Sequence, residues 1–288
     1  MTKFCRFDDD RLGLVEGDTV IDVTQALDVL PSVRWPLPQE DMLIANIDKV
    51  LEAAKALRGT GKVYPVDTVR FLSPVANVAK VIAAPVNYLK HQAEANADGG
   101  KNFDKDVKTI AHYGLFLKSS TSVVGISEGI EIVYPDRRTD HEIELVVVIG
   151  KGGRNIRLED ALDHVAGYTL GLDITLRGPE DRSLRKSLDS FSVLGPWITT
   201  PDEIDDPNNL ALSLSVNGEP RQDATTADLI FNVQQLIEYA SAHYALCPGD
   251  VIYTGTPEGV GPIVPGDVVD FMVEKVGAAR MHVTGPRQ

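Results

Sequence analysis

The chain has 288 residues, 28 of them Lys or Arg and 42 Asp or Glu, giving a formal net charge of −14 at pH 7. That length allows one large domain or two unequal ones with a substantial core. The charge repels phosphate backbones and anionic lipid, so no nucleic-acid and no membrane partner is expected, and an anionic substrate would need a local positive centre to hold it.

The N-terminal stretch MTKFCRFDDD lacks the apolar core of a signal peptide, and the run LVVVIG ending at Gly150 is far shorter than a membrane span, so a cytoplasmic protein is expected. The two cysteines, Cys5 and Cys247, form no C-x-x-C pair and read as reduced and structural. Up to about Ser73 the pattern predicts short strands near Arg11 to Val23 and one helix from about Glu40 to Leu57, stopped by Gly59. Residues 1–73 are therefore expected to form a small N-terminal α/β module.

From Ala79 onward the texture changes to short β-rich runs, among them VAKVIAAPV, TSVVGI, GIEIVY, EIELVVVIG, LALSLSVNG and DVVDFMVEKV, separated by Gly, Pro and Asn-Gly. Residues 74–288 are expected to form a larger, mainly β domain, α+β overall. Two helices are predicted in it. One runs near Leu158 to Val165; the other runs from about Ala227 to Tyr244, with Thr225 and Asp228 as a capping box and Pro248-Gly249 beyond its end. Asn217-Gly218 predicts a type I′ hairpin turn.

In HEIELVVVIG, strand alternation puts Glu142 and Glu144 on one face and Ile143 and Leu145 on the other. Two adjacent bare carboxylates repel each other, whereas a hard divalent cation satisfies both with oxygen ligands. The apolar run GYTLGLDIT carries a third acid, Asp173. An all-oxygen set suits Mg²⁺ or Mn²⁺, with Ca²⁺ as an alternative, and no Cys/His cluster argues for zinc. The competing reading puts the two glutamates on the solvated face of an edge strand, with Asp173 capping a turn. Alternation turns His141 away from the pair, as a structural or surface residue. In NYLKHQAEA a short helix would bring His91 and Glu94 together as an i, i+3 pair, either a base with its orienting carboxylate or a solvated surface pair. Arg177 and Lys186 are cations that could hold an anionic substrate or a developing oxyanion. The Gly-rich YTGTPEGVG runs on into a strand and fits no phosphate-binding fingerprint, although its backbone N–H groups could cradle a carboxylate.

Taken in order, VNYLKHQAEA, EIELVVVIGK, GYTLGLDIT, KSLDSFSVLGPWI, VNGEPRQ and LCPGDVIYTGTPEGVG resemble the fumarylacetoacetate hydrolase superfamily over roughly Ala79 to Asp270. The resemblance implies a mixed β-sandwich roll behind a small N-terminal module, and a homodimer. It implies a metal, Mg²⁺ or Mn²⁺, on Glu142, Glu144 and Asp173. It assigns catalysis to His91, Glu94 and Lys186, and substrate contacts to Arg177, Thr256 and its neighbour Gly255. Many relatives continue after the aspartate with Ala-Arg-Asp and then Gln, whereas here Leu176-Arg177-Gly178-Pro179-Glu180 follows, which leaves the substrate contacts of this loop open.

The implied function is metal-dependent hydrolysis of a carbon–carbon bond in a small anionic 2-oxo acid, an acylpyruvate or fumarylpyruvate, through a metal-stabilised enolate. In that scheme His91 and Glu94 would activate water and Lys186 would stabilise negative charge. Decarboxylation or isomerisation of oxaloacetate- or hydroxymuconate-type acids uses the same enolate. A non-catalytic metal- or metabolite-binding protein would need the three acids but not His91, Glu94 and Lys186 together.

Overall fold

The computed structural model describes residues 2–97 and 106–286. The chain opens as an antiparallel meander of β1 (Lys3–Phe7), β2 (Arg11–Glu16) and β3 (Thr19–Asp22). Where one helix is predicted, two follow, α1 (Met42–Ala45) and α2 (Ile47–Leu57). Asn46 separates them: its backbone leaves helical geometry at φ −122°, ψ 25°, and its side-chain amide donates to the Met42 carbonyl at 2.9 Å. Then come β4 (Val63–Pro65), β5 (Val81–Ala83), α3 (Leu89–Ala97), α4 (Ile110–Tyr113), β6 (Phe116–Lys118), β7 (Val123–Val124), β8 (Ile130–Glu131) and β9 (Thr139–His141). The central pair is β10 (Ile143–Ile149) and β11 (Val165–Asp173), with β12 (Thr175–Leu176), α5 (Arg182–Arg185) and β13 (Ser192–Thr199) after it. The chain ends with β14 (Ala211–Val216), β15 (Glu219–Thr225), α6 (Val233–His243), β16 (Val251–Tyr253), β17 (Gly261–Pro262), β18 (Val268–Val273) and β19 (Gly277–Thr284).

Strands dominate, as expected, and among the described residues form three sheets. The largest has the order β4-β3-β2-β1-β13-β11-β10-β16-β5-β6, with β7 also pairing β13; β12-β9-β17 and β15-β14-β18-β19-β8 complete the set. The N-terminal meander joins the large sheet through the β1–β13 pairing, so this sheet spans both sides of residue 73.

Alternation along β10 builds the core in two directions. Ile143, Leu145, Val147 and Ile149 enter the core shared with Leu212, Leu214 and Val269 of the five-stranded sheet. Val146 and Val148 enter a second core with Ile44, Val50 and Ala54 from the N-terminal helices. Each face thus buries an apolar row, the pattern of a sheet covered on both sides.

Two predicted helices differ from the observed elements. Leu158–His164 is a 3₁₀ helix in which Ala161 is buried while Leu158 and Leu162 stay exposed, so no apolar stripe is buried to favour an α-helix. The later helix starts at Val233, where Asn232 and Gln235 form the capping box; Thr225 caps a short 3₁₀ turn instead. The residues between are held by Asn87, whose carbonyl accepts from Ile230 N at 2.8 Å and whose side chain accepts from Phe231 N at 2.7 Å. The Asn217-Gly218 turn has positive φ at both residues, 53° and 81°, as type I′ requires.

Candidate functional site

Glu142 and Glu144 continue the even-numbered face of β10 beyond Val146. The edge-strand alternative fails, because β10 lies between β11 and β16 and the two carboxylates are 4% and 1% exposed. The Asp173 N–H donates to the Glu142 carbonyl at 2.9 Å, which sets the third acid beside the pair. Opposite Glu144 in the ladder stands Gly171, where an added Cβ would lie 2.4 Å from Val146 Cγ2 and 2.6 Å from Tyr253 Cε1. Only glycine allows that approach. One oxygen from each of Glu142, Glu144 and Asp173 lies within 4.8 Å of the others.

Three cations surround the acids. Lys186 Nζ is 2.7 Å from Glu142 Oε2, 2.6 Å from Asp173 Oδ2 and 2.7 Å from Thr175 Oγ1. Lys118, fully buried at the end of β6, donates to Asp173 Oδ1 at 2.5 Å and to the Phe191 carbonyl at 2.6 Å. Arg177 spans two carboxylates, Asp140 Oδ2 at 2.8 Å and Glu142 Oε1 at 2.9 Å. Burial raises the Glu142 carboxyl, but contact with Lys186 and Arg177 outweighs it and holds this group well below the usual carboxylate range. Glu144 goes the other way. Burial and the nearby Asp173 charge push it well above that range, opposed by Lys186 and by the Gly255 N–H 2.6 Å from its Oε2. A divalent cation reverses that penalty, so the donor set fits a hard oxygen-seeking ion.

α3 brings His91 Nδ1 to 3.4 Å from Glu94 Oε2, and Glu94 Oε1 accepts from the Gly259 N–H at 3.1 Å. His91 lines the same cavity as the three acids, Arg177, Lys186 and Thr256. The Gly-rich loop does cradle carboxylates, but those of Glu144 and Glu94. Gly255 does this at φ +101°, where a Cβ would stand 2.7 Å from Asn87 Cβ. Thr256 Oγ1 accepts from Gln222 Nε2 at 2.8 Å, and Gln222 Oε1 accepts from the Ile143 N–H at 3.1 Å and faces His141 Nδ1 at 3.0 Å. His141 is thus a buried structural residue, and burial lowers its basicity. Cys5 is buried, and both cysteines are free thiols.

Lys118, Asp140 and Gln222 belong to this arrangement although sequence reasoning does not single them out. Lys118 had a signal, a lone cation ending the apolar run YGLFLK. Gln222 lies in VNGEPRQ without any local hint of burial. Asp140 precedes the visible pair by two residues on a separate short strand.

The model of the fumarylacetoacetate (FAA) hydrolase C-terminal family matches residues 80–284. A maleylpyruvate hydrolase of Aquipseudomonas alcaligenes is 51% identical over 286 residues, covering 98% of this chain and 99% of the relative. The mitochondrial oxaloacetate tautomerase fahd2 of Xenopus laevis is 35% identical over 280 residues, covering 93% of this chain and 83% of the relative. The crystal structure of maleylpyruvate hydrolase from Sphingobium sp. SYK-6 in complex with manganese(II) ion and pyruvate superposes with a TM-score of 0.83 at 36% identity, covering 99% of this chain and 100% of that one.

Proposed function

The chain belongs to the fumarylacetoacetate hydrolase family, and we propose that it is a metal-dependent hydrolase that cleaves the carbon–carbon bond of an acylpyruvate of the maleylpyruvate or fumarylpyruvate type. The observation that carries this reading is the buried Glu142–Glu144–Asp173 triad, with Glu144 strained as an anion, in one cavity with the His91–Glu94 pair. Those three residues would hold the ion, and Mg²⁺ or Mn²⁺ suits their all-oxygen set. When bound, the ion supplies charge stabilisation for an enolate developing next to the 2-oxo group.

The chain's own groups do the rest. His91, oriented by Glu94, takes a proton from the water that attacks the distal carbonyl. Glu94 is fixed in turn by the Gly259 N–H, so the pair is positioned before substrate arrives. Lys186 holds Glu142 and Asp173 in register and offers positive charge to the departing enolate. Thr256, set by Gln222, offers its hydroxyl to the substrate, and Arg177 contributes field more than contact because two carboxylates occupy it. In this reading residues 74–288 are the catalytic unit, residues 1–73 cover the even face of its central sheet, the protein works as a homodimer, and the free thiols suit a reducing cytoplasm.

The test is turnover of a panel, comprising acylpyruvates, fumarylpyruvate, oxaloacetate and a hydroxymuconate-type acid, with Mg²⁺ or Mn²⁺ and again after chelation. Metal-dependent release of pyruvate from an acylpyruvate is the expected result. Activity indifferent to chelation would sink the metal-dependent reading. The tautomerase relative keeps a second reading open, isomerisation of an oxaloacetate-type acid, which the same panel detects as enol–keto conversion without cleavage.

A further inference from the structure

The segment after Asp173, where the sequence leaves the familiar family phrase, rebuilds one wall of the cavity. Glu180 turns back onto Arg137, which grips it with two bonds of 2.9 and 2.8 Å, and a Cβ at Gly178 would collide with both partners at 2.1 and 2.2 Å. The Asp181 carboxylate is likewise occupied, accepting from the Ser183 N–H at 2.8 Å and its hydroxyl at 2.6 Å. α5 follows and places Arg182 and Arg185 in the cavity lining beside Arg177 and Lys186. The two acids that precede these arginines in the chain are therefore spent elsewhere. Among the described residues no carboxylate lies within ion-pair distance of Arg182 or Arg185.

The two differ in how they are held. Arg185 is tied to backbone, its Nε donating to the Glu180 carbonyl at 2.7 Å. Arg182 leans on ring faces, with its guanidinium carbon 5.1 Å from the Tyr113 centroid and 5.3 Å from that of Phe116. The Lys186 ammonium lies 5.6 Å from the same Phe116 ring, so Arg182 stands on the same aromatic shelf as the lysine that touches Glu142 and Asp173. Contact with two rings restrains the guanidinium, and among the described residues its N–H groups have no hydrogen-bond partner, which leaves them available for bidentate capture of a carboxylate. Arg177 and Arg185 line the same cavity and add positive field around Arg182.

We propose that Arg182 is a specificity-determining residue that receives a second, distal carboxylate, so that the substrates favoured by this enzyme are diketo acids whose acyl part itself ends in an acid. The proposal rests on the acylpyruvate reading above for the orientation of the substrate, the 2-oxo acid end toward the triad and the acyl end toward Arg182. It does not rest on hydrolysis occurring.

The test separates the two. Binding of 2-oxoadipate and of 2-oxohexanoate, six-carbon 2-oxo acids that differ by the distal carboxylate and cannot be hydrolysed, is measured by calorimetry on the Mg²⁺-loaded protein. The wild type should favour the dicarboxylate by about tenfold, the scale of one charge-assisted pair at a half-buried site. Arg182→Gln should erase that preference while changing 2-oxohexanoate binding less than about threefold, and Arg182→Lys should keep part of it. In turnover, Arg182→Gln should raise KM for fumarylpyruvate and leave KM for acetylpyruvate near its wild-type value. A wild type without the dicarboxylate preference, or an Arg182→Gln variant that retains it, overturns the proposal. Failure to cleave any acylpyruvate, with the binding preference intact and lost in the variant, would refute the hydrolase reading and leave the anion site standing.

Discussion

The two ends of β10 present the same face to opposite fates. Val146 and Val148 bury against the N-terminal helices with no polar partner, whereas Glu142 and Glu144, two steps earlier on the same alternation, bury among lysines and arginines. At the valine end burial is favourable by itself, on the order of 25 cal/mol per Å² of apolar surface. At the glutamate end burial costs several kcal/mol per ion and is tolerated only where each charge is met. The backbone is shared, so the difference lies in what the neighbouring elements bring: α1 and α2 to one end, β6, α5 and the loop after β16 to the other. The acidic cluster is in effect a core position whose packing partner has been replaced by counter-charge.

That contrast can be broken at either end. The largest effect should come from Glu144→Gln, which keeps the volume but removes a ligand charge; turnover should fall about a thousandfold or more, with elemental analysis showing loss of bound metal. Arg177→Met leaves Asp140 and Glu142 short of a buried partner and should lower unfolding stability by about 3 kcal/mol, read from denaturant midpoints. Lys186→Met should cost about a hundredfold in turnover, the worth of one preorganised donor; a change below about threefold would remove Lys186 from the mechanism. Val148→Ala should cost about 2 kcal/mol of stability while leaving turnover within about twofold, since it opens a void far from the chemistry. If Val148→Ala and Arg177→Met instead shift stability and turnover in equal proportion, the two ends are one cooperative unit and the distinction fails.

Much of this site was legible in the sequence because its signals are local. Alternation with period 2 puts Glu142 and Glu144 on one face whatever the tertiary context, an i, i+3 spacing does the same for His91 and Glu94 on a helix, and Asn217-Gly218 dictates its own turn. What escaped is non-local. Asn87 takes the backbone of residues 230–231 and delays α6 by half a dozen residues, Gln222 reaches from a hairpin to Thr256 and Ile143, and Lys118 finds Asp173 from 55 positions away. The break at Asn46 and the 3₁₀ form of Leu158–His164 are failures of another kind: helical periodicity was present, but a side-chain bond to the backbone in one case and too little buried apolar surface in the other decided against a continuous α-helix.

The loop after β16 holds Glu144 through Gly255 and Glu94 through Gly259, so it acts as a ruler, with its two marks four positions apart, between the Glu142–Glu144–Asp173 cluster and the His91–Glu94 pair. Such a ruler cannot be lengthened or shortened without changing the spacing of both. Diversification of this scaffold therefore has to proceed elsewhere, and the stretch from Gly178 to Lys186 is free of that constraint along most of its length. A designer seeking a new substrate from this chain would leave residues 254–259 untouched and vary Arg182 and Arg185, whose side chains line the cavity from outside that loop.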